Sequence, residues 1–498
     1  MSNCIVNIFE NTVLRFPNRT AVADEQHALS FSELKKFSQK IANRIENKNT
    51  VIGVMAHRDV FTIPMFLGVT YSGRCYVPID PEMPVEKIRK IVESAGIKTV
   101  MSCELGDKEK IESAGAEFLQ IASNMEDTDT RETLEIKECD NQELLYLIYT
   151  SGSTGMPKGV AKSYKAMESF IDAYQKEFAF DEHTIIGNQT PFCFDASAKD
   201  IYMMAACGAT LEILPTTLFS FPVRLVEYMN ARKINFISWV PSALTIVTTL
   251  NTFTEIVPKY LKKVFFVGEV FAAKHLNKWM DALPDAEFVN LYGSSEICGI
   301  SCFYRIKEKI DVKDSIPVGG ALSNCDVRLI HDGMSVETSD VSGEIYVASQ
   351  ALADGYFGDP TKTEQSFVFA DFGDGEKRYY RTGDVARYNE NGELVFMARS
   401  DYQIKHMGHR IELGEIETAA MAMKGLEKCC CLYDNKRSRM ILYAQLEAES
   451  KITAAEIRSE LKASLSDYMV PHRVKILEKL PLNTNGKIDR PALQRELQ

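Results

Sequence analysis

The chain has 498 residues, 45% of them hydrophobic and 25% charged, which is enough to bury more than one core. Its formal net charge of -12 gives no reason to expect nucleic acid or an anionic membrane as partner. The start, from Met1 to Glu10, lacks a basic flank followed by a long apolar run, and no stretch approaches membrane-span length, so no secretory leader and no membrane association are expected and the cytoplasm is the expected address.

Residues 1 to about 140 alternate helix-like and strand-like segments. Phe31 to Phe37 opens an amphipathic helix, and Val51-Ile-Gly-Val-Met55 reads as a buried strand. From Met65 to Pro81 a helix turns through Gly73 into a strand ended by prolines. Such alternation predicts a parallel α/β layer. The polar stretch Glu126 to Asn141 reads as a connection.

An apolar strand, Leu144 to Ile148, then runs into Tyr149-Thr-Ser-Gly-Ser-Thr-Gly-Met-Pro-Lys-Gly159. Backbone N–H groups and hydroxyls in such a loop can close around phosphate oxygens while Lys158 adds a charge. Thr150, Ser151, Gly152, Ser153, Thr154 and Gly155 are the candidate cradle. It is not the G-x-x-x-x-G-K-[ST] loop, because Gly155 precedes Lys158 by three positions and Gly159 follows it. The string resembles the core signature of the adenylate-forming superfamily, which includes nonribosomal peptide synthetase adenylation domains, acyl-CoA synthetases and luciferases. The segment ending Tyr76-Val-Pro-Ile-Asp80 resembles a further motif of that superfamily, to which a structural role is assigned.

Asp195 follows the aromatic pair Phe192 and Phe194 and begins a helical pattern. A helix N-cap would explain it; the resemblance implies instead a carboxylate for a substrate α-ammonium. Phe236 to Ser242 and Val264 to Val270 look like core strands ending in turns, and ligands of α/β sheets sit beyond such ends. Asn290-Leu-Tyr-Gly-Ser-Ser-Glu296 resembles the family's Tyr-Gly-Pro-Thr-Glu, with Ser294 for Pro and Ser295 for Thr. Gly293 would permit close backbone approach to a ligand, Tyr292 could stack on a base, and Glu296 offers a hard oxygen to Mg²⁺. Gly343 to Val347 is another expected strand, and Asp384, in Tyr380-Arg-Thr-Gly-Asp384, matches the family residue that binds the ribose hydroxyls.

After the strand Glu393 to Met397, the segment Ala398 to Glu412 resembles the family's hinge motif, with Ala398 replacing a glycine. Arg399 matches an ATP-contacting arginine, Asp401 the hinge and Gly408 the loop presented to a thiol. Residues 401–498 carry 16 Lys+Arg against 14 Asp+Glu, a net of +2, which leaves -14 for residues 1–400. The division expected is 1–399, an AMP-binding core domain, and 400–498, a mobile domain. A helix with Ile416, Ala420 and Met423 at i, i+4, i+7 follows. The 12 cysteines include no Cys-x-x-Cys pair, and the cluster Cys429-Cys430-Cys431 lies in a strand-like run, so buried reduced thiols are expected. Leu480 to Arg490 contains an Asn-Gly-Lys turn, and the resemblance maps the catalytic lysine onto Lys487.

The fold expected is α/β: a large N-terminal domain of several subdomains with mixed and parallel sheets, plus a smaller mobile α+β C-terminal domain. The resemblance implies ATP and Mg²⁺ as cofactors, Lys487, Lys158 and Glu296 as catalytic groups, and activation of an amino acid as its adenylate with loss of pyrophosphate. It further implies that the small domain then rotates, withdrawing Lys487. The string around Asp195 looks closest to stand-alone D-alanine:carrier protein ligases. Motif alignment puts Ala196, Lys199, Ser238, Phe265, Val267, Leu291, Gly299 and Ile300 around the substrate side chain. Lys199, at i+4 from Asp195, could pair with it, read an acidic or polar substrate, or point outward. The tail holds neither a Gly-Gly-x-Ser nor a His-His-x-x-x-Asp-Gly motif, so a stand-alone enzyme serving a phosphopantetheinylated carrier protein in trans is expected. An acyl- or aryl-CoA ligase and a catalytically weak adenylate-binding protein are the alternatives.

Overall fold

The computed structural model describes residues 5–45, 50–122, 143–150, 156–399, 403–447, 449–481 and 488–497. Two large sheets dominate. The seven-stranded sheet carries the buried strands Val51–Met55 and Cys75–Ile79 beside Leu144–Thr150 and Lys158–Ser163; the nine-stranded sheet carries Ile185–Asn188, Phe236–Trp239, Lys263–Val267 and Glu287–Tyr292. The central pairings of both are parallel; antiparallel strands close both edges of the nine-stranded sheet and one edge of the seven-stranded sheet, whose other edge strand, Glu117–Gln120, pairs in parallel. This is the mixed α/β architecture expected.

Alternation along the central strands explains why they read as unbroken apolar runs. Ile52 and Val54 face one core while Val51 and Met55 face another; in the second sheet Phe265 and Val267 face the first core, Val264 and Phe266 a third. A strand covered on both faces has no polar side to show. The core shared by the two sheets is filled by the helices Ile5–Arg15, Phe31–Arg44, Thr62–Tyr71, Tyr164–Phe178 and Asp195–Cys207. Phe31–Arg44 starts where Ser30 and Glu33 form a reciprocal capping box, which satisfies two backbone N–H groups that the first turn would leave bare. Gly73 adopts φ +65° between helix and strand, as its place in the sequence required.

A six-stranded antiparallel sheet, including Gly343–Ser349, Glu376–Tyr388 and Leu394–Arg399, stands beside these layers. Beyond it come the hairpin Gln403–His406 and His409–Glu412, the helix Leu413–Met421, and a three-stranded sheet. Ile416 and Ala420 are buried as the periodicity predicts, whereas Met423 falls beyond the helix end. Cys429, Cys430 and Cys431 are buried free thiols in the strand Leu426–Asp434, and burial holds Cys429 and Cys430 near 12. The Glu126–Asn141 connection lies outside the described residues. Among the described residues no helix is long and apolar enough to cross a membrane.

Candidate active site

The candidate residues gather where strands of both large sheets end. Thr150 closes one strand and Lys158 opens its antiparallel neighbour, paired across the hairpin; Ser151, Gly152, Ser153, Thr154 and Gly155 lie outside the described residues, as do Asp401 and Lys487. Lys158 Nζ lies 3.2 Å from Glu412 Oε1, which also accepts from Gln403 Nε2 at 2.8 Å. The cradle lysine is thus held by the far strand of the C-terminal hairpin.

Tyr292, Asp384 and Arg399, far apart in sequence, form one bonded group. Asp384 and Arg399 are registered partners on neighbouring strands, with Arg399 Nη1 donating to Asp384 Oδ1 at 2.6 Å. Tyr292 Oη donates to Asp384 Oδ2 at 2.6 Å, and burial with that carboxylate drives the phenol far above its ordinary range. An ionised partner makes both bonds short. At Gly293 a Cβ would stand 2.3 Å from the Gly299 carbonyl oxygen, so the protein's own backbone already demands a glycine there. Ser294 Oγ is buried and makes no hydrogen bond among the described residues; Ser295 is half-buried beside it.

Glu296 is 1% exposed. Arg410 Nη1 donates to its two carboxylate oxygens at 2.9 and 2.6 Å, and Tyr356 Oη donates at 2.8 Å. These contacts outweigh burial and hold the carboxyl at about 2. The Gly408 turn of the same hairpin, at φ +81°, donates its N–H to Glu269 Oε1 at 2.8 Å and packs so closely on Val240 that a Cβ would meet Cγ1 at 2.8 Å. Glu269 and Val240 lie just beyond strands of the nine-stranded sheet, and Glu269 Oε2 also accepts from the Ser242 N–H. His409 is stacked on Tyr468 at 3.7 Å and edge-on to Phe194 at 4.6 Å. Burial pushes its imidazole down to about 4.

Asp195 is the first residue of its helix, and Phe194 occupies the cap position without a side-chain bond, so the N-cap reading is corrected. Its carboxylate turns inward, accepting from Tyr146 Oη at 2.8 Å, with Lys162 Nζ at 3.6 Å. Lys199 is 2% exposed and does not point outward. Its Nζ pairs with Asp200 Oδ1 at 3.0 Å and donates to the Ala196 carbonyl at 2.8 Å; Asp200 in turn accepts from Asn188. Phe265, Val267, Leu291 and Ile300 share the apolar cluster between the sheets, Phe265 ringed by Phe178, Phe180 and Phe236. Ser238 is registered opposite Phe265 and is buried; Gly299 adopts φ +74° against the ring of Phe170.

Sequence reasoning passed over Tyr146, Lys162, Glu269, Tyr356, Arg410 and Glu412. Arg410 and Glu412 lay inside the hinge motif without a role. The others carry no local signal, because their partners are distant in sequence.

Mg²⁺ is tested by Glu296. Its hard oxygens suit the ion, which is typically held by one or two carboxylates together with nucleotide phosphates, and among the described residues no group of three or more His, Cys, Asp or Glu forms a metal cage. Glu296 would hold the ion, which would neutralise phosphate charge when bound; because Arg410 engages the same oxygens, ion and guanidinium would compete for them.

Two α/β sheets meeting at strand ends, with a small C-terminal hairpin reaching into the junction, define an adenylate-forming enzyme, a class that uses ATP. The AMP-binding enzyme family matches residues 9–357 and the AMP-binding enzyme C-terminal domain matches residues 415–487, and the chain belongs to this family. Zwittermicin A synthase ZmaJ of Bacillus cereus is 30% identical over 99% of this chain and 95% of its own length. Tyrocidine synthase 1 of Brevibacillus parabrevis is 29% identical over 98% of this chain, which spans only 44% of that protein. In fold the chain is similar to holo-PA1221, an NRPS protein containing adenylation and PCP domains, with TM-score 0.85, 22% identity, and coverage of 99% and 84% of the two chains. It is likewise similar to the Vibrio cholerae adenylation domain AlmE solved with glycyl-adenosine-5'-phosphate, with TM-score 0.83, 20% identity, and coverage of 100% and 98%.

Proposed function

We propose that this chain activates an amino acid with ATP as its acyl-adenylate, releasing pyrophosphate, and then passes the acyl group to the phosphopantetheine thiol of a carrier protein supplied in trans. The observation that carries the reading is the docked hairpin: Gly408 on Val240 and Glu269, with Arg410 on Glu296, puts a narrow glycine turn at the end of the strands that frame the candidate adenylate site. Kinship with peptide synthases supports the amino acid and the carrier. The proposal includes a division at 399/400, a cytoplasmic address, the phosphate role of Ser151 to Lys158, nucleotide contacts through Tyr292, Asp384 and Arg399, and Lys487 as the group that brings substrate carboxylate and α-phosphate together.

A carboxylate is already a nucleophile at neutral pH, so the first step needs no general base. It needs two anions positioned and their charge offset. Alternation of the small domain would then separate Lys487 from the site and admit the thiol while excluding water.

The test is acid-dependent ATP/pyrophosphate exchange over proteinogenic L-amino acids, D-alanine, β-alanine, and representative aryl and fatty acids, followed by loading of carrier protein or coenzyme A. A single strong amino-acid signal with transfer to carrier protein is expected, and Lys487→Ala should abolish exchange. Robust acyl-CoA formation with fatty or aryl acids alone would move the chain to the CoA-ligase branch.

A further inference from the structure

Register places Tyr146 opposite Lys162 on adjacent antiparallel strands, so both side chains leave the sheet on one face. They converge on one carboxylate: Tyr146 Oη donates to Asp195 Oδ1 at 2.8 Å, and Lys162 Nζ stands 3.6 Å from Oδ2. The backbone N–H of Gly299 lies on the same carboxylate's side and favours its ionised form. The Lys162 side chain is 0% exposed, with the Cys298 thiol beside it, and its ammonium makes no hydrogen bond to a described oxygen.

The other buried charges nearby are matched elsewhere. Lys199 pairs with Asp200, and Glu296 with Arg410. Lys162 is therefore Asp195's own counter-charge. One buried carboxylate offsets one buried cation; a second cation brought into the same desolvated place has no partner and faces the first at short range.

We infer that Lys162 supplies Asp195, from inside the protein, with the positive charge that a substrate α-ammonium would otherwise bring, and that the acid activated here carries no ammonium on its α-carbon. This rests on the adenylation reading above and narrows it: an amino acid that fits carries its amino group further from the carboxylate. Lys162 is then a specificity-determining residue, contributed by the strand that follows the phosphate loop.

Two non-hydrolysable adenylate analogues, alanyl- and propionyl-sulfamoyladenosine, differ only in the α-ammonium, and calorimetric titration of the full chain with each tests the inference. Wild type should bind the propionyl analogue about tenfold or more tightly, and Lys162→Met should reverse the order by leaving Asp195 without its internal cation. The double variant Lys162→Met with Asp195→Asn, which removes both charges, should fold and keep the propionyl preference. Equal binding, or tighter alanyl binding by wild type, overturns the inference while leaving adenylation standing. An unchanged order in a folded Lys162→Met variant also overturns it. Failure of wild type to bind either analogue, together with no exchange for any acid, removes the adenylation reading and the inference with it.

Discussion

Replacing Arg410 with methionine should separate the two half-reactions. Arg410 donates to both oxygens of a carboxyl that is 1% exposed and, with Tyr356 assisting, holds it at about 2, below its ordinary 4.5. At about 1.4 kcal/mol per pH unit, that drop corresponds to roughly 3 kcal/mol favouring the ionised, docked arrangement. The folded value lies below the unfolded one, so this contribution is complete above pH 4.5 and is lost as the pH falls toward 2. At neutral pH the variant therefore forfeits the guanidinium's share of it, the largest stabilising one. Because the bond joins the hairpin to the site, the loss should fall on transfer to the carrier thiol, by up to about 100-fold. Pyrophosphate exchange, for which Glu296 is proposed to hold Mg²⁺, should stay within a few-fold, and its half-saturating Mg²⁺ concentration should fall because a competitor has gone. Exchange and single-turnover carrier loading, measured on one preparation across a Mg²⁺ series, provide the comparison. Parallel loss of both half-reactions, or an unchanged Mg²⁺ requirement, would refute competition between Arg410 and the ion.

Asp384→Asn should weaken ATP binding about 10- to 100-fold, read as KM in exchange, because at a residue 4% exposed it removes the negative charge and leaves one acceptor oxygen for the two donors Arg399 and Tyr292; an unchanged KM argues against any nucleotide role for the group. His409 is held neutral at about 4 against its ordinary 6.5, so the unfolded or undocked chain binds the proton first. Its contribution to docking is complete above pH 6.5 and declines as pH falls toward 4, so carrier loading should drop over that window more steeply than exchange, and His409→Phe should flatten the difference. Lys87 and Glu415 join the N-terminal body to the C-terminal helix at 3.0 Å with side chains 9% and 4% exposed; Lys87→Met should leave Glu415 uncompensated, costing about 3 kcal/mol, seen as a lowered melting temperature and faster proteolysis between the bodies. Cys429, Cys430 and Cys431 should resist thiol-specific reagents in the native chain and react together on unfolding, since burial keeps their thiols protonated.

The parts of the fold legible in the sequence are those decided within a few residues. Val51 to Met55 is a strand covered on both faces, Gly73 turns a helix into a strand, and the apolar run before the Ser/Thr/Gly loop is a strand; each follows from side-chain period or backbone freedom. Resemblance added candidate roles, and it named Asp384 and Arg399, which strand register then brought into contact.

Sequence could not reveal what depends on which distant elements meet. Asp195 read equally as a helix cap or an ammonium ligand because both uses begin with a carboxylate at a helix start; only the fold, by turning it toward Tyr146 and Lys162, gave it an internal cation. Lys199 had three open readings; packing removed the outward one and paired it with Asp200, its neighbour in the chain. Arg410 and Glu296 are 114 residues apart, and their contact exists only because the hairpin docks at the strand ends. The sequence by itself determined the elements and the chemistry available, since propensity and pattern are local; tertiary structure alone decided which charge neutralises which, because a buried ion's partner is whatever the closed fold places within a few ångströms of it.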